Sequence, residues 1–385
     1  MSPRNRQKPF LGLYLNFPFC PVKCHFCSFG SKLFHPPTVS RYMKAIQREL
    51  IYYSKIPVYQ EKVVNTVYIG GGTPTLVSED LPELLKSIQN HFKLESSAEI
   101  TVEAHPSGIS SERLSGLVRG GFNRISFGVQ SFLDSDLIRM NRGHSVQEVY
   151  DAYQHARQAG FKNINLDLIY GLPGQTLCQW EENLQSAIEL SPEHLSVYGL
   201  TLEEKTYFYH MSRQGTFEEA DDTIQAEMYQ VAIQKLKREG FNQYEVSNFA
   251  RPGHESRHNL HYWTQGNFLG LGAFASSYFE GVHTSNLSSV EGYLRKVDET
   301  GSAIEHSESL DLESRFKEAL IFGLRKCAGI SLSEFDPEYQ TYFHRVLPKL
   351  IGLSRQGFLD HESENSFSLT ENGLLFSDHV SMILS

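Results

Sequence analysis

The sequence predicts an α/β fold: a partial (β/α)6 barrel over residues 1–250, then a small C-terminal α+β domain of winged-helix type. Three observations predict it. Short apolar or β-branched runs alternate with amphipathic helical stretches from residue 10 to residue 250. Polar or glycine-rich residues recur just after those runs, where the open face of a barrel sheet lies. Past residue 305 the order changes to helices followed by a hairpin pattern.

The elements follow in order. LGLYLNF, residues 11–17, reads as the first strand, and Ser40 to Tyr53 as the first helix. VNTVYIGGG, AEITVEA, FNRISFGV, KNINLDLIYG and HLSVYGL read as five further strands. SEDLPELLKSIQNHF, SVQEVYDAYQHARQAG and QWEENLQSAIEL carry the helical period between them. Strands separated by helices of this length form βαβ units and a parallel sheet. Residues 251–305 are rich in Gly, His and aromatics without a clean period, and read as a linker carrying a histidine motif. In the domain over 306–385, LDLESRFKEALIFGLRKCAG reads as a helix and the stretch 331–357 as two more. FLDHESENSFSLTENG then reads as a hairpin, and a helix from Gly373 to Leu384 closes the chain. That domain either carries an activity or braces the barrel.

Composition narrows the function classes. The 385 residues carry 35 Lys and Arg against 45 Asp and Glu, a net charge of −10, which disfavours nucleic acid or an anionic membrane as principal partner. No run reaches the roughly 18 apolar residues that span a bilayer. Basic residues precede an apolar stretch at the start, but Asn16 and Pro18 interrupt it and no small-residue cleavage site follows; it reads as a mature N-terminus entering a strand. The five cysteines are odd in number and clustered, unlike a disulfide framework, which points to the reducing cytoplasm.

Three of those cysteines, Cys20, Cys24 and Cys27, stand in CPVKCHFC with the spacing C-x3-C-x2-C on a loop leaving the first strand. Such a loop lets three thiolates converge on one inorganic centre. Structural zinc wants four ligands, and His25 is a poor fourth beside an engaged Cys24. Cys178 and Cys327 are remote in sequence and read as core thiols. A [4Fe–4S] cluster on three cysteines leaves one iron open for chemistry. GGGTPT, Gly70 to Thr75, follows a strand; its glycines either make a tight turn or free backbone to approach a ligand.

Here the sequence resembles the radical S-adenosylmethionine (SAM) superfamily, with Phe26 as the aromatic of the cysteine motif and GGGTPT as its glycine motif. The resemblance implies that SAM completes the cluster site through its amino and carboxylate groups. It narrows to the oxygen-independent coproporphyrinogen III oxidase group, including its HemW branch. The residues that carry it are LYLNFPFCPVKCHFC, GGGTPT, VEAHP, ISFGVQSF, MNRGH and DLIYGLPGQT, spread over residues 13–176. By that match Tyr14, Gly71, Gly72, Thr73, Glu103, Gln130, Arg142 and Asp167 stand at SAM-binding positions, with Gly199 in VYGL a looser match. The chemistry agrees, since carboxylates suit ribose hydroxyls or an amine and a guanidinium suits a carboxylate. Taken singly, Asp167 equally suits a loop cap and Arg142 a surface ion pair.

Two departures separate the chain from the oxidases. Phe29 occupies the place of their fourth cysteine, and only thirteen residues precede Tyr14 where they carry a longer leader. RHNLHYW, Arg257 to Trp263, contains the H-N-x-x-Y-W motif of HemW proteins. The resemblance thus implies a haem chaperone holding a [4Fe–4S] cluster, SAM and haem, and serving client haemoproteins such as respiratory membrane proteins. It would be cytoplasmic and meet the membrane only through a client. His258 is the candidate haem-iron ligand, flanked by His254 and His261; a core histidine is the alternative. The rival activity is coproporphyrinogen III oxidation, with a haem-degrading methyltransferase and a zinc scaffold behind it.

Overall fold

A computed structural model describes residues 9–217, 219–363 and 365–385 of the chain; residues 1–8, read above as the N-terminal entry, lie outside that description. Six strands run parallel in chain order: β1 (Phe10–Phe17), β2 (Val63–Gly71), β3 (Lys93–Ala104), β4 (Arg124–Gln130), β5 (Ile164–Tyr170) and β6 (His194–Gly199). These are the expected strands. Their apolar residues are buried on the face that the helices cover; Leu11, Leu13 and Leu15 of β1 and Val64 and Val67 of β2 are all fully enclosed. The helix predicted from Ser40 spans Pro36–Ser54, starting earlier because Pro36 and Pro37 occupy the first helical turn, where no amide is needed.

Local signals set the ends of the βα units. The helix Val146–Ala159 opens with a capping box between Ser145 and Glu148, and Leu177–Glu189 opens with one between Thr176 and Gln179. Gly121 and Gly160 close two helices in the left-handed conformation that favours glycine.

The segment 251–305 differs from a linker. It supplies the short helix Arg257–Trp263 and then β9 (Asn267–Leu271), which lies parallel to β1. Three antiparallel strands, β10 (Ser276–Phe279), β11 (Val282–Asn286) and β12 (Ile304–Ser309), extend that edge. On the opposite edge β7 (Asn242–Glu245) and β8 (Asn248–Ala250) pair antiparallel beyond β6, giving a twelve-stranded sheet. The reason is exposed backbone: both edges of a six-stranded parallel sheet carry unpaired N–H and C=O groups, and the chain returns to cover them.

The C-terminal domain has its own core around Phe316, Leu320, Phe343, Leu350 and Phe367. As expected it holds the helix Leu312–Arg325 and the hairpin Leu359–Ser363 with Ser366–Leu369, joined by Ile330–Ser331 into a three-stranded sheet. Two expectations are corrected. The stretch 331–357 forms two 3-10 turns and one helix, Gln340–Arg355, because Pro337 stops the first turn from continuing. The closing helix is two pieces, Glu371–Leu375 and Ser377–Leu384. Cys178 is likewise not a core thiol: it is exposed near the start of its helix, whereas Cys327 is half-buried.

Candidate cofactor site

Alternation along the parallel strands aims every second side chain into the barrel. From β4 these are Arg124, Ser126, Gly128 and Gln130; from β5 Asn165, Asp167 and Ile169; from β6 Ser196 and Tyr198. With Tyr68 of β2 and Glu103 of β3 they line a cleft of about 560 Å³, whose mouth is the cysteine loop. The polar residues are few, inward and clustered, which an otherwise apolar sheet tolerates only where a ligand or a hydrogen-bond network satisfies them.

Cys20, Cys24, Phe26, Cys27 and Phe29 all border this cleft. A short ladder of Phe19–Cys20 with Lys32–Leu33 closes the loop at its base. Its far side is pinned to the helix Asp134–Arg139 and the turn after it: the His25 amide donates to Met140 O, His25 Nδ1 lies 2.9 Å from Arg139 O, and Asn141 donates to Lys23 O. Phe26 packs on the small apolar cluster around Leu137, Met140 and Phe208. Burial pushes the Cys20 and Cys27 thiols up, and the neighbouring sulfurs add to that, so metal loading has to displace their protons. Among the described residues no three Cys, His, Asp or Glu side chains converge closely enough for a single metal ion. A four-iron cluster holds its cysteines farther apart than one tetrahedral ion does, so three thiols around one cleft mouth fit the larger group.

The glycine motif is stitched under this loop. The amides of Gly72 and Thr73 donate to Phe17 O and Phe19 O, each at 2.8 Å. Gly71 has φ +103°, and a Cβ at Gly72 would lie 2.5 Å from Phe19 O, so glycine is required at both. The Gly71 amide also donates to Glu103 Oε2 at 2.8 Å, while the Tyr68 hydroxyl donates to Glu103 Oε1 at 2.8 Å. Burial, then the nearby Asp167, raises the Glu103 carboxyl to about 7 against those two donors. Asp167 is itself raised by burial, and accepts from Asn165 and Ser126.

Gly71, Gly72, Thr73, Glu103, Gln130, Arg142, Asp167 and Gly199 thus reach one cleft with Phe26 and the three cysteines. Tyr14 does not line it; its ring stacks on Tyr68, centroids 6.1 Å apart, and its hydroxyl donates to Asn16 Oδ1. Arg142 sits on the cysteine loop rather than free in the cleft, donating from Nη1 to Cys24 Sγ at 3.3 Å and from Nη2 to Gly128 O. His258 is not in the cleft: it is 2% exposed, with Nδ1 2.8 Å from Thr66 Oγ1 and Nε2 2.8 Å from the Tyr262 hydroxyl. Its ring stacks on that of Tyr68, centroids 5.1 Å apart.

Several lining residues were not singled out from the sequence. Tyr68 and Arg124 read as ordinary strand residues, yet Arg124 is 2% exposed and its Nε has no partner. The available signal was the run of polar residues at every second position in RISFGVQ and INLDLIY. His105 and His144, also unremarked, meet beside the cleft with Nε2 and Nδ1 3.4 Å apart, and burial and Arg142 hold both well below the usual histidine range.

A parallel barrel with a three-cysteine loop at its mouth and a strand-end glycine motif beneath it defines a radical SAM protein, and residues 15–187 match the Radical SAM superfamily. Residues 310–376 match the HemN C-terminal domain. The chain is 37% identical to the haem chaperone HemW of Bacillus subtilis over 370 residues, covering 95% of this chain and 97% of that one. It is 32% identical to the haem chaperone HemW of Escherichia coli over 379 residues, covering 96% of each. Among solved structures it resembles the coproporphyrinogen III oxidase HemN of Escherichia coli, a radical SAM enzyme, with TM-score 0.84, 26% identity, and 99% of this chain and 91% of that one covered. The chain belongs to the HemW family. Among the described residues no helix is long and apolar enough to cross a membrane.

Proposed function

We propose that this protein is a haem chaperone, which binds haem, holds a [4Fe–4S] cluster with SAM, and delivers haem to client haemoproteins of the respiratory membrane from the cytoplasm. The observation that carries the reading is the end-to-end similarity to HemW proteins together with Phe29, which stands 68% exposed at the cleft mouth where the oxidases have a fourth cysteine. Cys20, Cys24 and Cys27 hold the cluster in this reading. The cluster, once bound together with SAM, would supply one-electron chemistry to the site. Glu103 and Asp167 take hydroxyl or ammonium donors of SAM, and the backbone of Gly71 to Thr73 meets its methionyl part.

His258 is the proposed haem-iron ligand. With Nδ1–H donating to Thr66, its Nε2 lone pair faces the Tyr262 hydroxyl. Ligation exchanges the Tyr262 contact for iron and leaves the Thr66 bond to fix the tautomer, the usual support of a metal-bound histidine. Burial lowers the His258 pKa well below the ordinary value, so the neutral ring that iron requires is already present.

Anaerobic incubation of the cluster-loaded protein with SAM, a low-potential reductant and coproporphyrinogen III tests the reading by mass spectrometry. No protoporphyrinogen, with iron, sulfide and SAM binding verified, is expected. Multiple turnovers would make the protein an oxidase and return His258 to a structural role.

A further inference from the structure

Arg142 is left by the resemblance as a SAM residue, but its position serves the cluster. Its guanidinium is held at two points. Nη2 donates to Gly128 O in β4, where the register to β5 shifts, and Nη1 donates to Cys24 Sγ at 3.3 Å. Cys24 is 9% exposed, the most enclosed of the three cysteines, so this charged hydrogen bond acts where water screens it least. The other charges near the loop leave Arg142 its influence: His105 and His144 are kept neutral, Lys23 lies near Cys27, Glu103 is engaged by the Gly71 amide and the Tyr68 hydroxyl, and Asp167 by Asn165 and Ser126.

We propose that Arg142 is a positioning residue for the cluster, whose hydrogen bond to the Cys24 sulfur raises the cluster's reduction potential. A cation and an N–H donor at a cluster sulfur stabilise the reduced, more negative state. A cluster so tuned is a weaker reductant toward SAM, which suits a protein that holds SAM without rapid turnover. The Nε of Arg142 is buried without a hydrogen-bond partner. The inference rests on the cluster reading above.

The test is a potentiometric titration, followed by EPR, of reconstituted wild type, R142K and R142M without SAM. Iron, sulfide and the visible spectrum are measured first; a wild type that assembles no cluster overturns the underlying reading, separately from the role of Arg142. With the cluster in place, R142M is expected to titrate at a more negative potential than wild type, with R142K between them. Equal potentials overturn the proposal. Should R142M fail to hold a cluster, wild type labelled with 15N-arginine decides: a hyperfine coupling from a guanidinium nitrogen to the reduced cluster is expected, and its absence overturns the assignment.

Discussion

The rings of His258 and Tyr68 stack with centroids 5.1 Å apart, and the Tyr68 hydroxyl donates to Glu103 at 2.8 Å. One side chain therefore touches both His258 and Glu103. Tyr14 completes the stack, 6.1 Å from Tyr68 and 6.4 Å from His258.

Tyr68→Phe keeps the stack and removes the donor to Glu103. A hydrogen bond to a charged group contributes about 1.5–3 kcal/mol, so SAM affinity should fall by roughly ten-fold or more while haem binding is retained. Calorimetric titration of the cluster-loaded variant checks this; unchanged SAM affinity would remove Glu103 from the binding role.

Acidification should weaken SAM binding. Glu103 is held at about 7, chiefly by burial and next by Asp167, and in the proposed reading its carboxylate is the form that accepts from SAM. Affinity should be flat at pH 8 and above and decline as pH falls through 7, by up to about ten-fold per unit. The stability of the ligand-free protein should show the opposite slope. A carboxyl whose folded pKa exceeds its unfolded value of 4.5 contributes stability below 4.5 that is lost as pH rises toward 7. SAM titrations from pH 6 to 8.5 read the first effect.

Gly72→Ala drives a Cβ to 2.5 Å from Phe19 O and 2.7 Å from Phe17 O, the backbone that delivers Cys20. The backbone must shift, which costs about 1–3 kcal/mol as overpacking does. Lower melting temperature and lower iron content per chain are expected together. A variant with full iron and wild-type melting would show that this approach is not needed.

Glu49 is fully buried and accepts from the Gly272 amide, Asn286 and Tyr293, each at 2.8 Å, tying the first helix to the far edge of the sheet. Glu49→Gln turns an NH2 group toward those donors and should cost about 1–3 kcal/mol of unfolding free energy. Burial raises the Glu49 carboxyl to about 7, so the wild type also loses stability as pH rises from 4.5 to 7, and the variant should show a shallower slope. Denaturant unfolding at several pH values measures both.

The fold was legible where local sequence decides it. Alternating strand and helix periods located all six strands β1 to β6, and the spacing of Cys20, Cys24 and Cys27 marked the mouth of the cleft. Pairings decided at a distance were not legible. The strand β9 lies in a glycine-rich segment without period, and it forms because Leu13 of β1 offers an unpaired edge to Leu269 more than two hundred residues away. At the site, motif positions gave many of the lining residues, though not Tyr68 or Arg124, and gave none of their partners; Tyr14 and His258 lie outside the lining. Nothing in MNRGH says that Arg142 reaches Cys24, and nothing in RHNLHYW says that Thr66 and Tyr262 take both nitrogens of His258.

The central claim is that the protein carries haem through His258, and a haem titration tests it most directly. Haem is added to wild type and to His258→Ala, each with verified fold and iron content, and the Soret band is followed. The account predicts saturable binding to wild type and loss of the ligand-specific band in the variant. Absence of saturable binding to wild type, or an unchanged spectrum in His258→Ala, would contradict it.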